Sequence, residues 1–187
     1  MTPEEFAALV RARAGEIRRA WEGRWPRMMR KEAQDHFREG FRRGGYIDRG
    51  LERWDETARQ RVPFAGAAGR YGPLLSRQND LMGSIDGRLG PGAVEMFSDS
   101  PHARYHNEGA EAQVTPRMRR YFWARAAEAK RARGGDDPEA LFWRNMALTR
   151  KDKIRVPRRR FMGPAEPLLK TIRRAVEDDL KRILEPR

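Results

Sequence analysis

The sequence predicts an α+β protein, in which a small antiparallel sheet packs against long amphipathic helices near the two ends of the chain. Apolar residues recur at helical spacing in both end regions. Between them, a short apolar run at residues 93–97 is flanked by turn-forming glycine, proline and serine, which is typical of a strand. At 187 residues the chain is long enough to bury one core, so we expect a single domain over residues 1–187.

Composition and charge narrow the classes of function. The net charge is +13, with arginine as the dominant cation, which favours an acidic protein surface or a nucleic acid as partner. Only 39% of the residues are hydrophobic, so we expect surfaces that are covered in an oligomer. The absence of cysteine excludes disulfides and cysteine-based sites. We recognise neither a signal peptide nor an apolar run of bilayer length, so we expect synthesis in a cytoplasm and no membrane contact.

Residues 1–45 are predicted to form a helical region made of two helices. Thr2 and Glu5 have the spacing of a capping box at the start of the first helix. Gly23 and Pro26 are predicted to interrupt it, and the second helix is predicted to end at a Gly-Gly pair. One face of the second helix is apolar, and we expect it in the core: Met29, Ala33, Phe37 and Phe41.

Residues 46–73 carry no helical or strand periodicity and are rich in proline and glycine. We expect a long loop that becomes ordered on assembly, because loops of this length in a compact domain are usually functional. A second irregular segment is predicted at residues 110–116. The aromatic side chains of the first loop are candidate contacts to a neighbouring subunit: Tyr46, Trp54, Phe64 and Tyr71.

The remaining part of the chain, residues 74–187, contains the predicted sheet. Strands are expected at residues 84–88, 93–98 and 153–156, joined in one sheet that the first and last helices cover. A helix is expected over residues 115–133, opening at a Thr-Pro pair. The last helix has a long apolar stripe and is predicted to dock on the sheet: Leu168, Leu169, Ile172, Val176, Leu180 and Ile183.

No set of residues has the spacing of a catalytic or metal site. His102 and His106 are four residues apart with Glu108 nearby, but they lack the pattern of a helical zinc motif. The serines lack a nucleophile-elbow context, and the glycines lack the following Lys-Ser/Thr of a phosphate-binding loop. We therefore predict that the protein is not an enzyme and carries no cofactor or metal.

Four short segments carry a resemblance to a known family: residues 77–85 (RQNDLMGSI), 103–109 (ARYHNEG), 115–122 (TPRMRRYF) and 156–163 (VPRRRFMG). In this order they resemble the Mu-like phage virion morphogenesis proteins, a family of tail completion and head–tail connection factors. The resemblance covers most of residues 74–187. It departs from the family pattern at Asn79 and Asp80, where a small residue and a glycine are usual.

The resemblance implies a structural role. Related tail completion and terminator proteins form rings, often sixfold, at the head-proximal end of the tail tube, where they stop tube growth and offer a docking surface to the head. The implied partners are further copies of the chain in a hexameric ring, the tail tube and the head-connector proteins, with DNA passing through the ring. The implied location is the neck of a virion that is assembled in the host bacterial cytoplasm.

Two of the family-like segments supply further candidate interface residues. These are Tyr105, His106, Asn107, Arg158, Arg159 and Arg160. We expect the three arginines to be exposed and to face an acidic partner surface or the DNA path. The alternative is a basic nucleic-acid-binding protein of phage or bacterial origin, which steeply salt-dependent binding to duplex DNA would distinguish.

Overall fold

The computed structural model describes residues 1–61, 70–133 and 137–185, and its helices and small antiparallel sheets confirm the α+β class. The α-helices are α1 (Pro3–Arg19), α2 (Trp25–Arg43), α3 (Ala58–Arg61), α4 (Asp80–Gly83), α5 (Ala103–Glu108), α6 (Pro116–Arg133), α7 (Pro138–Ala147) and α8 (Glu166–Leu184). The strands are β1 (Gly45–Ile47), β2 (Leu51–Arg53), β3 (Ile85–Gly90), β4 (Ala93–Ser98), β5 (Ala110–Gln113) and β6 (Lys153–Val156).

The predicted start of α1 and end of α2 are confirmed. The backbone N–H of Glu5 donates to Thr2 Oγ1, and the backbone N–H of Thr2 donates to the Glu5 carboxylate, which completes the capping box. Gly44 ends α2 in the left-handed conformation, with φ of 68°, a position that glycine takes at little cost. These local signals therefore set both ends of the helical region.

The predicted break at Gly23 and Pro26 is wrong, because α1 and α2 are joined by a π-helical turn, Ala20–Arg24, into one continuous helical run. A proline inside a regular α-helix lacks the N–H donor, and its ring clashes with the carbonyl four residues earlier. The wider turn before Pro26 relieves this clash, and the N–H of Trp25 bonds to the carbonyl of Ala20 instead.

Helix α2 is central to the core. It packs against β1, the β3–β4 hairpin and α8. Ala33, Phe37 and Phe41 are buried, as the apolar face predicts. Burying a large apolar side chain contributes roughly 1.5–3 kcal/mol, so this face supplies much of the drive for the surrounding elements to collapse onto α2.

The predicted single sheet is wrong, because the strands form three separate antiparallel hairpins, β1–β2, β3–β4 and β5–β6. Strands β3 and β4 pair as expected, with Ile85 opposite Ser98 and Gly90 opposite Ala93. Strand β6 has the predicted bounds but pairs with β5. Its partner was missed because β5 lies in the segment at residues 110–116, which we expected to be irregular.

The predicted loop at residues 46–73 is partly ordered without any partner. Residues 45–53 form the β1–β2 hairpin, and its turn is closed by a hydrogen bond from the N–H of Asp48 to the carbonyl of Gly50. Helix α3 follows. Burial of β1 against α2 orders the hairpin within the monomer. Residues 62–69 lie outside the described residues.

Helix α8 docks mainly on α1 and α2 rather than on the predicted sheet. Leu168 and Ile183 are buried, but Leu169 is 54% exposed. The predicted apolar stripe therefore faces the core except at Leu169. Helix α1 does not cover the sheet, and none of its residues is buried. Within the described parts of the chain, no helix combines the length and apolar character needed to cross a bilayer.

Helices α6 and α7 form a hairpin that the chain inserts between β5 and β6, and they pack mainly on each other. Phe122 stacks on Trp143 with ring centres 6.0 Å apart. Small residues fill the rest of the contact and let the two helices approach closely: Ala126, Ala129, Ala140 and Ala147. We call this unit, carried by the two-stranded β5–β6 stalk, the α6–α7 arm.

Candidate assembly interface

Two family-like segments that contain candidate interface residues meet at one place in the fold. Pairing of β5 with β6 brings the end of α5 next to the residues that follow β6. Asn107 Oδ1 accepts hydrogen bonds from the backbone N–H groups of Phe161 (2.9 Å) and Met162 (3.0 Å). The N–H of Arg159 donates to the carbonyl of His106 (2.7 Å). We call this arrangement the Asn107 joint.

A glycine permits the close approach at the joint. Gly109 follows α5 with φ of 78°, in the region that favours glycine. A Cβ atom at this position would lie 3.2 Å from both the backbone nitrogen and the Cβ of Arg158. Both the backbone conformation and the lack of a side chain at Gly109 therefore allow the two segments to pass each other.

Arg159 is a structural residue, and the expectation that it faces a partner is wrong. Its exposed fraction is 5%, and its guanidinium donates to the carbonyls of Asp55 (3.0 Å) and Glu56 (3.3 Å). Burial lowers the pKa of Arg159, and the charge of Asp55 opposes that change. The side chain thus ties the segment after β2 to the segment after β6.

Tyr46, Trp54 and Arg160 also hold the monomer together. Tyr46 is 2% exposed, and its hydroxyl donates to the carbonyl of Pro164 (2.7 Å). The Arg160 guanidinium lies 4.1 Å from the ring centre of Tyr46 and donates to the same carbonyl. Trp54 Nε1 donates to the carbonyl of Arg160 (2.7 Å). Burial raises the pKa of Tyr46. The interface role expected of Tyr46 is corrected, because its side chain lies in the core.

The other candidate interface residues that the structure describes are either exposed or half-buried. Two are exposed, Tyr105 and Arg158. Three are half-buried, Tyr71, His106 and Asn107. Phe64 lies outside the described residues. Of the predicted set, Tyr105 and Arg158 are therefore the ones whose side chains the described structure leaves accessible beside the joint.

His106 borders a cavity of about 350 Å³, which is also lined by Leu74, Ser76, Asp80, Ser100 and His102. Its Nδ1 is buried and has no hydrogen-bond partner among the described residues. Burial, followed by the charges of Arg159 and His102, lowers the pKa of His106. These effects favour the uncharged imidazole. In the described residues, no group of three or more metal-ligating side chains is placed to hold an ion.

The α6–α7 arm exposes large apolar side chains that the sequence prediction did not assign to an interface. Three consecutive aromatic residues lie in the first half of α6, and successive residues of a helix cannot share one face. Phe122 is buried in the arm, whereas Tyr121 (55%) and Trp123 (47%) are largely exposed, and Tyr121 also contacts Trp143 edge to face. Leu141 is exposed on α7, and Leu148 is exposed directly after the end of that helix. The run of aromatics is the sequence signal that could have identified this surface.

Comparison with known proteins provides no family assignment: no protein-family model matches the chain, and no curated protein and no solved structure is significantly similar to it. A functional assignment therefore depends on the short family-like segments and on the geometry of the joint and the arm.

Proposed function

We propose that the chain is a structural subunit of a phage or phage-derived tail, which forms a homo-oligomeric ring at the head-proximal end and joins the tail to the head. The observation that carries this proposal is the Asn107 joint. Residues 103–109 and 156–163, which resemble two segments of the tail completion family, bond to each other across 54 and 55 residues of sequence. Motifs that build one structural feature are expected to occur together, so the contact supports the resemblance.

The two remaining family-like segments lie where elements begin. Residues 77–85 lead through α4 into β3. Residues 115–122 open α6, where Thr115 Oγ1 accepts a hydrogen bond from the N–H of Met118. These positions suit a pattern of short motifs separated by variable elements, because caps and joints constrain sequence more than exposed helix faces do.

The α6–α7 arm supports assembly into a ring. Exposed apolar groups such as Tyr121 and Trp123 mark contact surfaces on soluble domains. The stalk that carries the arm has two strands in the described structure, so each strand offers an open edge that a neighbouring chain can extend. A head-to-tail contact between copies closes into a ring when the rotation between them fits.

This assignment moves the interface away from the predicted loops. The β1–β2 hairpin, which contains Tyr46, stabilises the monomer, and so does the buried side chain of Arg159. The contact surface is therefore assigned to the arm and to the exposed residues Tyr105 and Arg158. In this role the chain performs no reaction and needs no cofactor or metal. Its partners are further copies of itself, the tail tube and the head connector, in the neck of the particle.

Deletion of the gene from the encoding phage, followed by complementation in trans, tests the proposal. Without the protein we expect filled heads and separate tails that fail to join, or tubes of uncontrolled length. The parent chain restores joined particles, and Tyr121→Glu with Trp123→Glu does not, because burying new charges at a contact is costly. The matched control places the same two charges at Ala124 and Ala127, which are exposed on the same helix.

Two outcomes contradict the proposal at different levels. Normal infectious particles without the protein would reject the tail role and leave the basic nucleic-acid-binding protein as the alternative. Equal complementation by the two double variants would reject the arm as the contact surface.

A further inference from the structure

A groove lined by arginine side chains runs between α1, the π-helical turn, the start of α2, and α8. Its volume is about 470 Å³. Five guanidinium groups and two carboxylates line it, which leaves three positive charges in excess. The arginines are Arg13, Arg19, Arg24, Arg27 and Arg182, and the carboxylates belong to Glu16 and Asp179. None of these residues belongs to the joint or the arm.

Asp179 lies on one side of the groove, where neighbouring donors balance its negative charge. Its Oδ2 accepts hydrogen bonds from Trp25 Nε1 (2.8 Å) and Arg24 Nε (3.0 Å), and its Oδ1 accepts from Arg182 (3.0 Å). The Asp179 side chain is 12% exposed, so these donors enclose most of its charge. Arg24 and Arg182 are thereby held at the groove, with exposed side chains that keep further N–H groups available.

Arg19 and Arg27 supply the uncommitted charge. Both are exposed, and among the described residues neither has a hydrogen-bond or ion-pair partner. The Arg27 guanidinium lies against Gly23, where a Cβ would approach it to 2.9 Å. The π-turn forms i→i+5 rather than i→i+4 hydrogen bonds, and Arg19, which precedes it, and Arg24, which ends it, both line the groove.

We propose that this groove binds phosphate groups of a nucleic-acid backbone. Guanidinium groups match the geometry of phosphate oxygens and form paired, charge-assisted hydrogen bonds with them. All five cations are arginines rather than lysines. The net charge of +13 also favours a long polyanion over a short acidic peptide, because a polyanion can engage arginines outside the groove and release many counterions. This inference does not depend on the ring, and DNA binding at the groove is compatible with a tail protein, so the gene deletion rather than DNA binding separates the tail role from a nucleic-acid-binding protein.

The test is binding of a short labelled DNA duplex to the full chain, followed by fluorescence anisotropy across a salt series. The double variant Arg19→Gln with Arg27→Gln should bind at least about tenfold more weakly, with a salt slope reduced by about two. The matched control, Arg117→Gln with Arg120→Gln, removes the same two charges from exposed positions on α6 and should stay close to the parent. Urea unfolding of each variant checks that the fold is retained.

Two further ligands, pyrophosphate and polyglutamate, distinguish a nucleic acid from a small phosphate compound and from an acidic protein. Inorganic pyrophosphate should displace DNA from the parent, and direct binding of pyrophosphate should weaken in the Arg19 and Arg27 variant. If the parent bound pyrophosphate but did not bind DNA, the nucleic acid would be rejected as the source of the phosphate groups. Equal losses in the two double variants would overturn the groove as the site. Labelled polyglutamate binding in preference to DNA would overturn the proposal in favour of an acidic protein.

Discussion

The side chain of Asn107 holds the backbone at Phe161, with its Oδ1 2.9 Å from the Phe161 nitrogen. The same oxygen accepts from Met162. Phe161 is buried and contacts Phe41 of α2 edge to face, with ring centres 5.2 Å apart. One amide oxygen therefore connects the end of α5 to the core and fixes the chain that leads into α8.

Truncation of Asn107 should destabilise the fold. Asn107→Ala leaves two backbone N–H groups without their acceptor, and an unpaired buried polar group costs about 1–3 kcal/mol. Asn145, exposed on α7, provides the control, and Asn145→Ala should change the free energy of unfolding by less than about 0.5 kcal/mol. Urea denaturation measures both. Equal stability of the two variants would show that the joint does not contribute.

Neighbouring arginines should differ in their effect on stability. Arg159→Ala removes the donors to the carbonyls of Asp55 and Glu56 and should cost about 1–3 kcal/mol. Arg158→Ala, at an exposed position, should change the unfolding free energy little. Thermal unfolding of the two variants makes the comparison. A destabilised Arg158 variant beside an unaffected Arg159 variant would reverse the assignment of the two side chains.

A pair of adjacent leucines tests the docking of α8. Leu168 is buried and Leu169 is 54% exposed, so Leu168→Ala should cost about 2–4 kcal/mol and Leu169→Ala less than about 0.5 kcal/mol. Because the substitutions are chemically identical, helix propensity and side-chain size cancel in the comparison. If urea denaturation gave equal losses, the orientation of α8 on the core would be wrong.

Local signals predicted much of the fold. The capping box at Thr2, the apolar face of α2 and the bounds of β4 and β6 follow from residues close in sequence. The π-turn was missed because glycine and proline together usually end a helix, and relief of the Pro26 clash by a wider turn leaves no separate signal. The strand at Tyr46 was missed because its burial depends on α2 and on Pro164.

The candidate site was harder to predict than the fold. A run of three arginines indicates a solvated segment, but the acceptors of Arg159 are carbonyls 103 and 104 residues away. Likewise, the arginines of the groove come from α1, α2 and α8, which only tertiary packing brings together. Composition indicated the excess charge, and the fold determines where it is concentrated.

The ion pair at Asp179 should make the free energy of unfolding depend on pH in the acidic range. Burial raises the pKa of Asp179, but the hydrogen bonds from Trp25 and Arg24 and the charges of Arg24 and Arg182 outweigh it, so the pKa falls below its ordinary value. The stabilisation is therefore present above the ordinary carboxyl pKa of about 3.9 and is lost as the pH falls through the lower folded value.

Asp179→Asn should reduce stability at neutral pH, and its difference from the parent should shrink as the pH falls below about 4. Asp178, the exposed neighbour, supplies the control, and Asp178→Asn should change the free energy of unfolding at neutral pH by less than about 0.5 kcal/mol. Urea midpoints across the pH range measure this. A constant difference between the parent and the Asp179 variant at all pH values would contradict the lowered pKa.

Electron microscopy of the purified protein, alone and mixed with isolated tail tubes, shows directly whether the chain forms a ring at the end of a tail. We expect closed rings of uniform size that cap one end of the tubes, and their loss when Tyr121 and Trp123 are replaced by glutamate. Monomers that neither form rings nor bind tube ends would contradict it.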